Sequence, residues 1–383
     1  MNLKSENLVE IRRDFHRFPE LGFKEKRTKD KIIGYLKELG LDVHSGAGIV
    51  GVLRSGEGNK VIGLRADMDA LPIRETNTHD YVSNNTGVMH ACGHDGHMAM
   101  LLGAAHKLST NANFSGTIVF IFQPNEELGL GAKAMMDEGL LENFPMQEIY
   151  GMHNLPGVPT GELLTRSGII CSSESLFEIK IKGMGGHSSM PQLGRDAITI
   201  GAEVVQALQT IISRRIASGS GAVVSVTEFI SNGQRNVLPG ETILKGDVRT
   251  RRPDDRKKIE LFLHQITSGI ASAHDIEIEV SFETEFIETN NHIKPTEAVL
   301  KTAKKSGLKV TDCKPMSFSE DFAHFSNAVP GCFFLLGNGI DGANNKPLHS
   351  SDYDFNDDLL PIGADFWANL AKNRLSTEVS NSV

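Results

Sequence analysis

The segment Thr117-Ile-Val-Phe-Ile-Phe122, running into Gln123-Pro-Asn-Glu-Glu127, decides how this chain is read. Six uncharged residues of mostly β-branched and aromatic character suit a short strand buried on both faces, and the proline beyond them marks its end. Two adjacent carboxylates therefore fall just past a strand end. Three other apolar runs repeat the arrangement. Val61-Ile-Gly-Leu64 leads into Arg65-Ala-Asp67-Met-Asp69, Ile149-Tyr-Gly-Met152 into His153-Asn154, and Cys332-Phe-Phe-Leu-Leu336 into a glycine-rich loop reaching His349. Helical segments from Met98 to Leu108 and Ala132 to Leu141 separate the runs. The pattern predicts an α/β fold: a mostly parallel sheet with flanking helices, whose loops at the carboxyl ends of the strands carry the chemistry.

Working outward, Asn7 to Phe18 reads as an opening helix stopped by Pro19, and Ile32, Ile33, Leu36 and Leu39 recur at helical spacing up to Gly40. Gly46-Ala-Gly48-Ile-Val-Gly51 formally matches a dinucleotide fingerprint. That motif needs a helix after it, whereas Val50-Gly-Val-Leu-Arg54 reads as a strand, so a nucleotide site is rejected. Near Ser172 to Glu174 the character changes. Leu176-Phe-Glu-Ile-Lys-Ile-Lys182 alternates with period two, followed by a helix from Ala197 to about Arg214. Strands near Ala222 to Phe229 and Glu241 to Arg249, a helix from Arg256 to His274 and a strand from Ile276 to Glu283 complete the segment. Strand-helix-strand-strand-helix-strand is the order of a ferredoxin-like α+β domain. The expected organisation is a catalytic domain in two parts, 1–174 and 292–383, with an inserted lid or dimerisation domain at 175–291. The tail from Ser376 to Val383 reads as frayed.

Composition sets the outer limits. A chain of 383 residues exceeds one ordinary core, and 39% hydrophobic with 23% charged residues describes a globular protein. The start, Met-Asn-Leu-Lys-Ser-Glu, lacks the apolar core of a signal peptide, and no apolar run is long enough to span a membrane. The expected address is cytoplasmic, with no membrane partner. A net charge of −9 excludes a nucleic-acid partner as the default, because phosphates would be repelled. Cys92, Cys171, Cys313 and Cys332 are scattered without a C-x-x-C pair, which indicates neither a disulfide framework nor a zinc finger.

The chemistry concentrates in His90-Ala-Cys-Gly-His-Asp-Gly-His97. In an extended segment, Cys92 and His94 would share a face, two donors suited to a divalent transition metal. Joined with the other strand ends, Cys92, His94, Glu127, His153 and His349 supply about the donors that two ions sharing a bridging ligand need. Of the adjacent pair, one glutamate can bind metal while the other stays free as a general base. A nucleophilic Cys92 would need one base and an oxyanion hole but no surrounding carboxylates. Isolated histidines such as His16, His79, His106 and His274 read as surface or satisfied core groups.

Ordered motifs along nearly the whole length complete the reading: His16-Arg-Phe-Pro-Glu-Leu-Gly-Phe23, Gly63-Leu-Arg-Ala-Asp-Met-Asp-Ala-Leu-Pro72, Met89 to His97, Gln123 to Glu127, Gly186-His-Ser-Ser-Met-Pro191, Asn236-Val-Leu-Pro239, Ser319-Glu-Asp-Phe322 and Pro347-Leu-His349. With them the chain resembles the di-metal aminoacylase and carboxypeptidase family, in particular its amidohydrolase branch of hippurate hydrolases, N-acetyl-diaminopimelate deacetylases and auxin-conjugate hydrolases. The resemblance implies a zinc-exopeptidase-like catalytic domain and hydrolysis of small N-acyl amino acids, with diaminopimelate deacetylation or dipeptidase activity as alternatives. A scaffold that only binds metal or ligand is the non-enzymatic alternative. It also implies two divalent ions, zinc or manganese with nickel or cobalt as further options, and a homodimer or homotetramer. Carried over by motif, the resemblance implies that Cys92 is the bridging ligand, Glu126 the general base, and His187 the group that stabilises the oxyanion. Asn236 and Arg249 face the substrate's carboxylate side. Where the wider family has a metal-binding His-x-Asp, this chain has Arg65-Ala-Asp67, so Asp67 is expected behind the ligands rather than among them. Asn125, between the proline and the base, is expected to face solvent.

Overall fold

The computed structural model describes residues 8–376, so the readings at the N-terminal Met-Asn-Leu-Lys-Ser-Glu, at Asn7 and in the tail beyond Ser376 lie outside it. The chain forms two compact units. One comprises residues 8–170, 289–314 and 321–376, and the other 171–288 and 315–320.

The first unit is built on an eight-stranded sheet. Its strands lie in the order Asp42–Ser45, Ile49–Ser55, Gly116–Gln123, Val61–Asp67, Glu148–Pro156, Gly331–Gly339, Leu163–Thr165, Val310–Asp312. The four central strands are mutually parallel, and the strand next to them on each side runs antiparallel. These centre strands are the continuously apolar runs, because they are covered on both faces and have no solvent side to mark with polar residues. The chain leaves Val61–Asp67 toward one neighbour and later returns on its other side at Glu148–Pro156. The switch between them opens a crevice at the carboxyl ends. The segment Ile49–Ser55 is a strand, as the rejection of a nucleotide site required.

The helix expected from Met98 begins earlier, at His94, and runs to Thr110 buried almost throughout. Apolar periodicity hid its first turn, since His94, Asp95 and His97 are polar yet inaccessible. The expected Ala132–Leu141 helix is two pieces, Gly131–Asp137 and Leu140–Asn143, divided at Gly139, which takes the left-handed conformation. Phe120, Phe122, Phe334, Leu336 and Trp367 belong to the core around this sheet. No helix among the described residues is long and apolar enough to cross a membrane.

The second unit is an antiparallel sheet in the order Val223–Ser231, Glu241–Thr250, Ser173–Lys182, Glu277–Phe286, with helices Ala197–Thr210 and Pro253–His274. Numbered along the chain that is 2-3-1-4, the ferredoxin-like arrangement. Strict alternation in Ser173–Lys182 places Phe177, Ile179 and Ile181 against Val204, Leu208, Leu244 and Leu263 in a separate core.

Candidate metal centre

Gly93 adopts φ +92° immediately before the His94 helix, a turn that a side chain would resist. A Cβ there would also crowd Asn154 and the Tyr353 hydroxyl. Cys92 and His94 therefore do not share the face of an extended segment. Cys92 lies in the bend and His94 opens the helix, and they converge because the chain turns between them.

Two imidazoles of the cluster are oriented through Nδ1. His94 Nδ1 lies 2.9 Å from the backbone oxygen of Asp69, and His153 Nδ1 2.7 Å from that of Asn154. A carbonyl only accepts, so Nδ1 carries the hydrogen in both rings and Nε2 presents its lone pair. His94 Nε2 is buried without a hydrogen-bond partner, and so is Glu127 Oε1, 3.9 Å away. Cys92 Sγ lies 3.3 Å from His153 Nε2, and His349 Nε2 lies 3.3 Å from Glu127 Oε2. His349 holds a left-handed φ of +63°, with its N–H donating to the carbonyl of Ala91 at 2.8 Å, which fastens it beside Cys92. Donor atoms of Cys92, His94 and His153 all lie within 4.8 Å of one another. The same holds for Cys92, Glu127 and His349, and for His94, Glu126 and Glu127. The five donors expected from the sequence are brought together, with Cys92 common to two of the trios.

Electrostatics fit a cation. Burial drives the Cys92 thiol far up, and the carboxylates of Glu127, Glu126 and Asp67 drive it further. Such surroundings oppose a thiolate nucleophile, which needs positive neighbours. Burial alone would lower His94, yet Asp67, Asp69 and Glu127 raise it to about 10. Burial, with His97 beside it, holds His153 well below the usual range. Orphaned Nε2 and carboxylate oxygen, a thiol and three imidazoles form a donor set that a borderline divalent ion satisfies.

Surrounding groups explain the geometry. Asp67 is expected behind the ligands, and both its oxygens are engaged: Oδ2 accepts from Arg65 Nη1 at 2.7 Å and Oδ1 from His97 Nδ1 at 2.7 Å. The Arg65 guanidinium also binds Gln123 and Asp321. Sequence reasoning assigned no role to Asp69. Its carboxylate accepts the backbone N–H groups of Glu126 and Glu127 at 3.0 and 3.1 Å, while its carbonyl orients His94. Alternate carboxylates at a strand end were the available signal. Asn125 does not face solvent. It is fully buried at φ +47°, its N–H donating to Glu25 Oε1 at 3.0 Å. The reason is Gly22, which packs so closely on the Asn125 amide that no Cβ would fit between them.

His16 is a satisfied core group between Asp95 and Glu75, at 2.8 and 3.1 Å. In the second unit, His187 lies on the short strand Gly186–His187, paired with Val237–Leu238. The Asn236 carbonyl accepts the Ser188 N–H at 3.1 Å, so His187 and Asn236 are neighbours. His187 Nδ1 accepts from the Ser189 N–H at 3.2 Å, which leaves Nε2 to carry the hydrogen. Arg249 is held by Glu174, Asp247 and Ser319 Oγ.

Residues 63–373 match the model of peptidase family M20/M25/M40. The chain belongs to that family. It is 38% identical over 367 residues to hippurate hydrolase of Campylobacter jejuni, covering 94% of each chain. It is 32% identical over 348 residues to N-acetyldiaminopimelate deacetylase of Bacillus cytotoxicus, covering 88% of this chain and 92% of that one. A dinuclear metal-binding peptidase of Bacillus subtilis superposes with a TM-score of 0.85 at 30% identity, covering 97% of this chain and 98% of its own.

Proposed function

We propose that this member of the M20/M25/M40 family is a metal-dependent amidohydrolase that cleaves N-acyl amino acids into a carboxylic acid and an amino acid. The observation that carries the reading is the pair of donor trios sharing Cys92, with His94 and His153 both presenting Nε2. Cys92, His94, Glu127, His153 and His349 would hold two divalent ions, with Cys92 between them. Zinc or manganese suits a set that mixes thiolate, imidazole and carboxylate, and nickel and cobalt are compatible. When bound, such ions polarise a carbonyl and make water acidic enough to attack at neutral pH.

The remaining roles belong to the chain. Glu126 takes the proton of the attacking water and delivers it to the amide nitrogen as the carbon–nitrogen bond breaks, giving a neutral leaving amine. Its turn is fixed in advance by Asp69, so the base is positioned before substrate arrives. His187, with the hydrogen on Nε2, donates to the oxygen on which negative charge develops. Asn236 is assigned to the substrate carboxylate. Arg249 suits that role less well, because Glu174 and Asp247 already balance its charge.

Chelated enzyme reconstituted with zinc or manganese should hydrolyse hippurate and N-acetyl amino acids. Chelation should abolish turnover, and Glu126→Gln should bind two ions yet lose about 10²- to 10⁴-fold in kcat. Full activity in a metal-loaded Glu126→Gln variant refutes the mechanism. Activity that survives chelation refutes metal dependence.

A further inference from the structure

Among the described residues, the first unit exposes five large apolar side chains: Phe23, Leu128, Leu130, Ile293 and Ile340. Three of them, Phe23, Leu128 and Leu130, are 49%, 62% and 49% exposed and lie on two loops fastened together. Leu128 and Leu130 belong to the turn that carries Glu126 and Glu127. That turn is closed by Gly129 N–H donating to the Glu126 carbonyl at 2.8 Å and Gly131 N–H to the Asn125 carbonyl at 3.1 Å. The Phe23 loop is clamped to the turn by Gly22 packing on Asn125 and by Glu25 accepting the Asn125 N–H at 3.0 Å.

Phe23 itself sits at φ +59°, a conformation that a bulky side chain rarely adopts. The ring is half exposed, so core packing does not repay that strain. Strain held in place by neighbouring contacts is characteristic of sites of use. The place of the turn indicates what such a surface receives. Leu128 and Leu130 directly follow Glu126 and Glu127, so a substrate amide presented to Glu126 brings one of its flanking groups onto this apolar surface, where an uncharged group loses less hydration than an ionised one. In an N-acyl amino acid the carboxylate lies on the amino-acid side and the acyl side is neutral.

Resting on the amidohydrolase reading, we propose that Phe23, Leu128 and Leu130 form the apolar wall that receives the acyl group, and that they select bulky apolar acyl groups, aromatic rings included, over acetyl. The test is kcat/KM of the metal-loaded full chain on two substrate series. One varies the acyl group on glycine (acetyl, hexanoyl, benzoyl), and the other varies the amino acid under a fixed benzoyl group. Variants are Phe23→Gly, which removes the ring and relieves the backbone, and the surface double variant Leu128→Ser/Leu130→Ser. Unfolding midpoints and bound metal are measured on each, and rescue is sought with Leu128→Ile/Leu130→Ile.

The benzoyl-to-acetyl ratio should fall by roughly tenfold or more in both variants and recover in the isoleucine variant, while the order of preference among amino acids stays as in wild type. A ratio that moves less than threefold overturns the assignment, as does a change confined to the amino-acid series. Those outcomes, in a wild type that turns over the substrates, refute the wall alone. A wild type that cleaves neither series refutes the amidohydrolase reading and the wall with it.

Discussion

Glu148 opens the strand that carries His153 and ties it to the last helix of the first unit. Its carboxylate accepts from Arg374 Nε at 2.7 Å, from the Tyr150 hydroxyl at 2.7 Å and from Lys60 Nζ at 3.0 Å, with Arg374 Nη2 completing the fork. Burial alone would raise this carboxyl, but Arg374, Tyr150 and Lys60 bring it from its ordinary 4.5 to about 2. The folded state therefore holds the proton less tightly than the unfolded chain does. The stabilisation is fully present above about pH 4.5 and is lost as pH falls toward 2. At about 1.4 kcal/mol for each pH unit between 4.5 and 2, the shift corresponds to about 3 kcal/mol, and because the Lys60 and Arg374 side chains reach solvent, screening brings the expected stabilisation at neutral pH to about 1–3 kcal/mol. Of this, about a quarter should be gone at pH 4 and more than half at pH 3. Glu148→Gln keeps the shape and cannot titrate, so the stability gap between wild type and variant isolates this carboxyl from the others. The only tryptophan, Trp367, is buried in the same Leu359–Leu375 helix, so urea unfolding followed by its fluorescence reports on this unit. A gap that stays constant from pH 7 to pH 3, or one below about 1 kcal/mol at pH 7, would refute the reasoning.

Two further substitutions probe the site's scaffolding. Gly22→Ala should place its Cβ against Asn125, 2.5 Å from Cγ, and displace the base turn. The expected outcome is about 1–3 kcal/mol of destabilisation, with a fall in kcat larger than any fall in bound metal, read by unfolding, steady-state kinetics and metal analysis. Arg65→Met removes a fully buried guanidinium from between Asp67 and Asp321. It should cost about 3–5 kcal/mol in urea unfolding, because two buried carboxylates lose their counter-charge, and weaken metal retention in competition with a chelator.

Legibility in the sequence followed the range of the interaction. The four central strands announced themselves because burial on both faces writes a continuous apolar run into the chain, and the ferredoxin-like unit because a half-solvated sheet writes alternation. Glu127, His153 and His349 were legible because each follows one of those runs, and Cys92 and His94 because they share a short stretch dense in donor residues. What failed depended on distant contacts or on function overriding pattern. Asn125 follows a proline in a polar stretch, and nothing nearby reveals that Gly22, a hundred positions earlier, covers it. The first turn of the His94 helix lacks an apolar stripe because its polar groups point to bound partners rather than to water. Asp69 escaped because its role is to hold backbone N–H groups of residues almost sixty positions away, which no local motif displays.

Three carboxylates of the site are distinguished by what each already holds. Asp67 has given one oxygen to a guanidinium and the other to an imidazole, and Asp69 has given both to backbone N–H groups. Both oxygens of each are already engaged by buried donors, and withdrawing one costs about 1–3 kcal/mol for each group left unpaired. Glu127 is in the opposite position, with Oε1 buried and unpartnered 3.9 Å from the equally unpartnered Nε2 of His94. Two buried lone-pair atoms facing each other without a proton or cation between them repel. The pair is relieved either by protonating His94, which the neighbouring acids favour, or by a metal ion taking both lone pairs. Metal binding at this position must therefore compete with a proton. Under the proposed reading the ligand role falls to Glu127 rather than to either aspartate, because of the three it presents a buried oxygen without a hydrogen-bond partner.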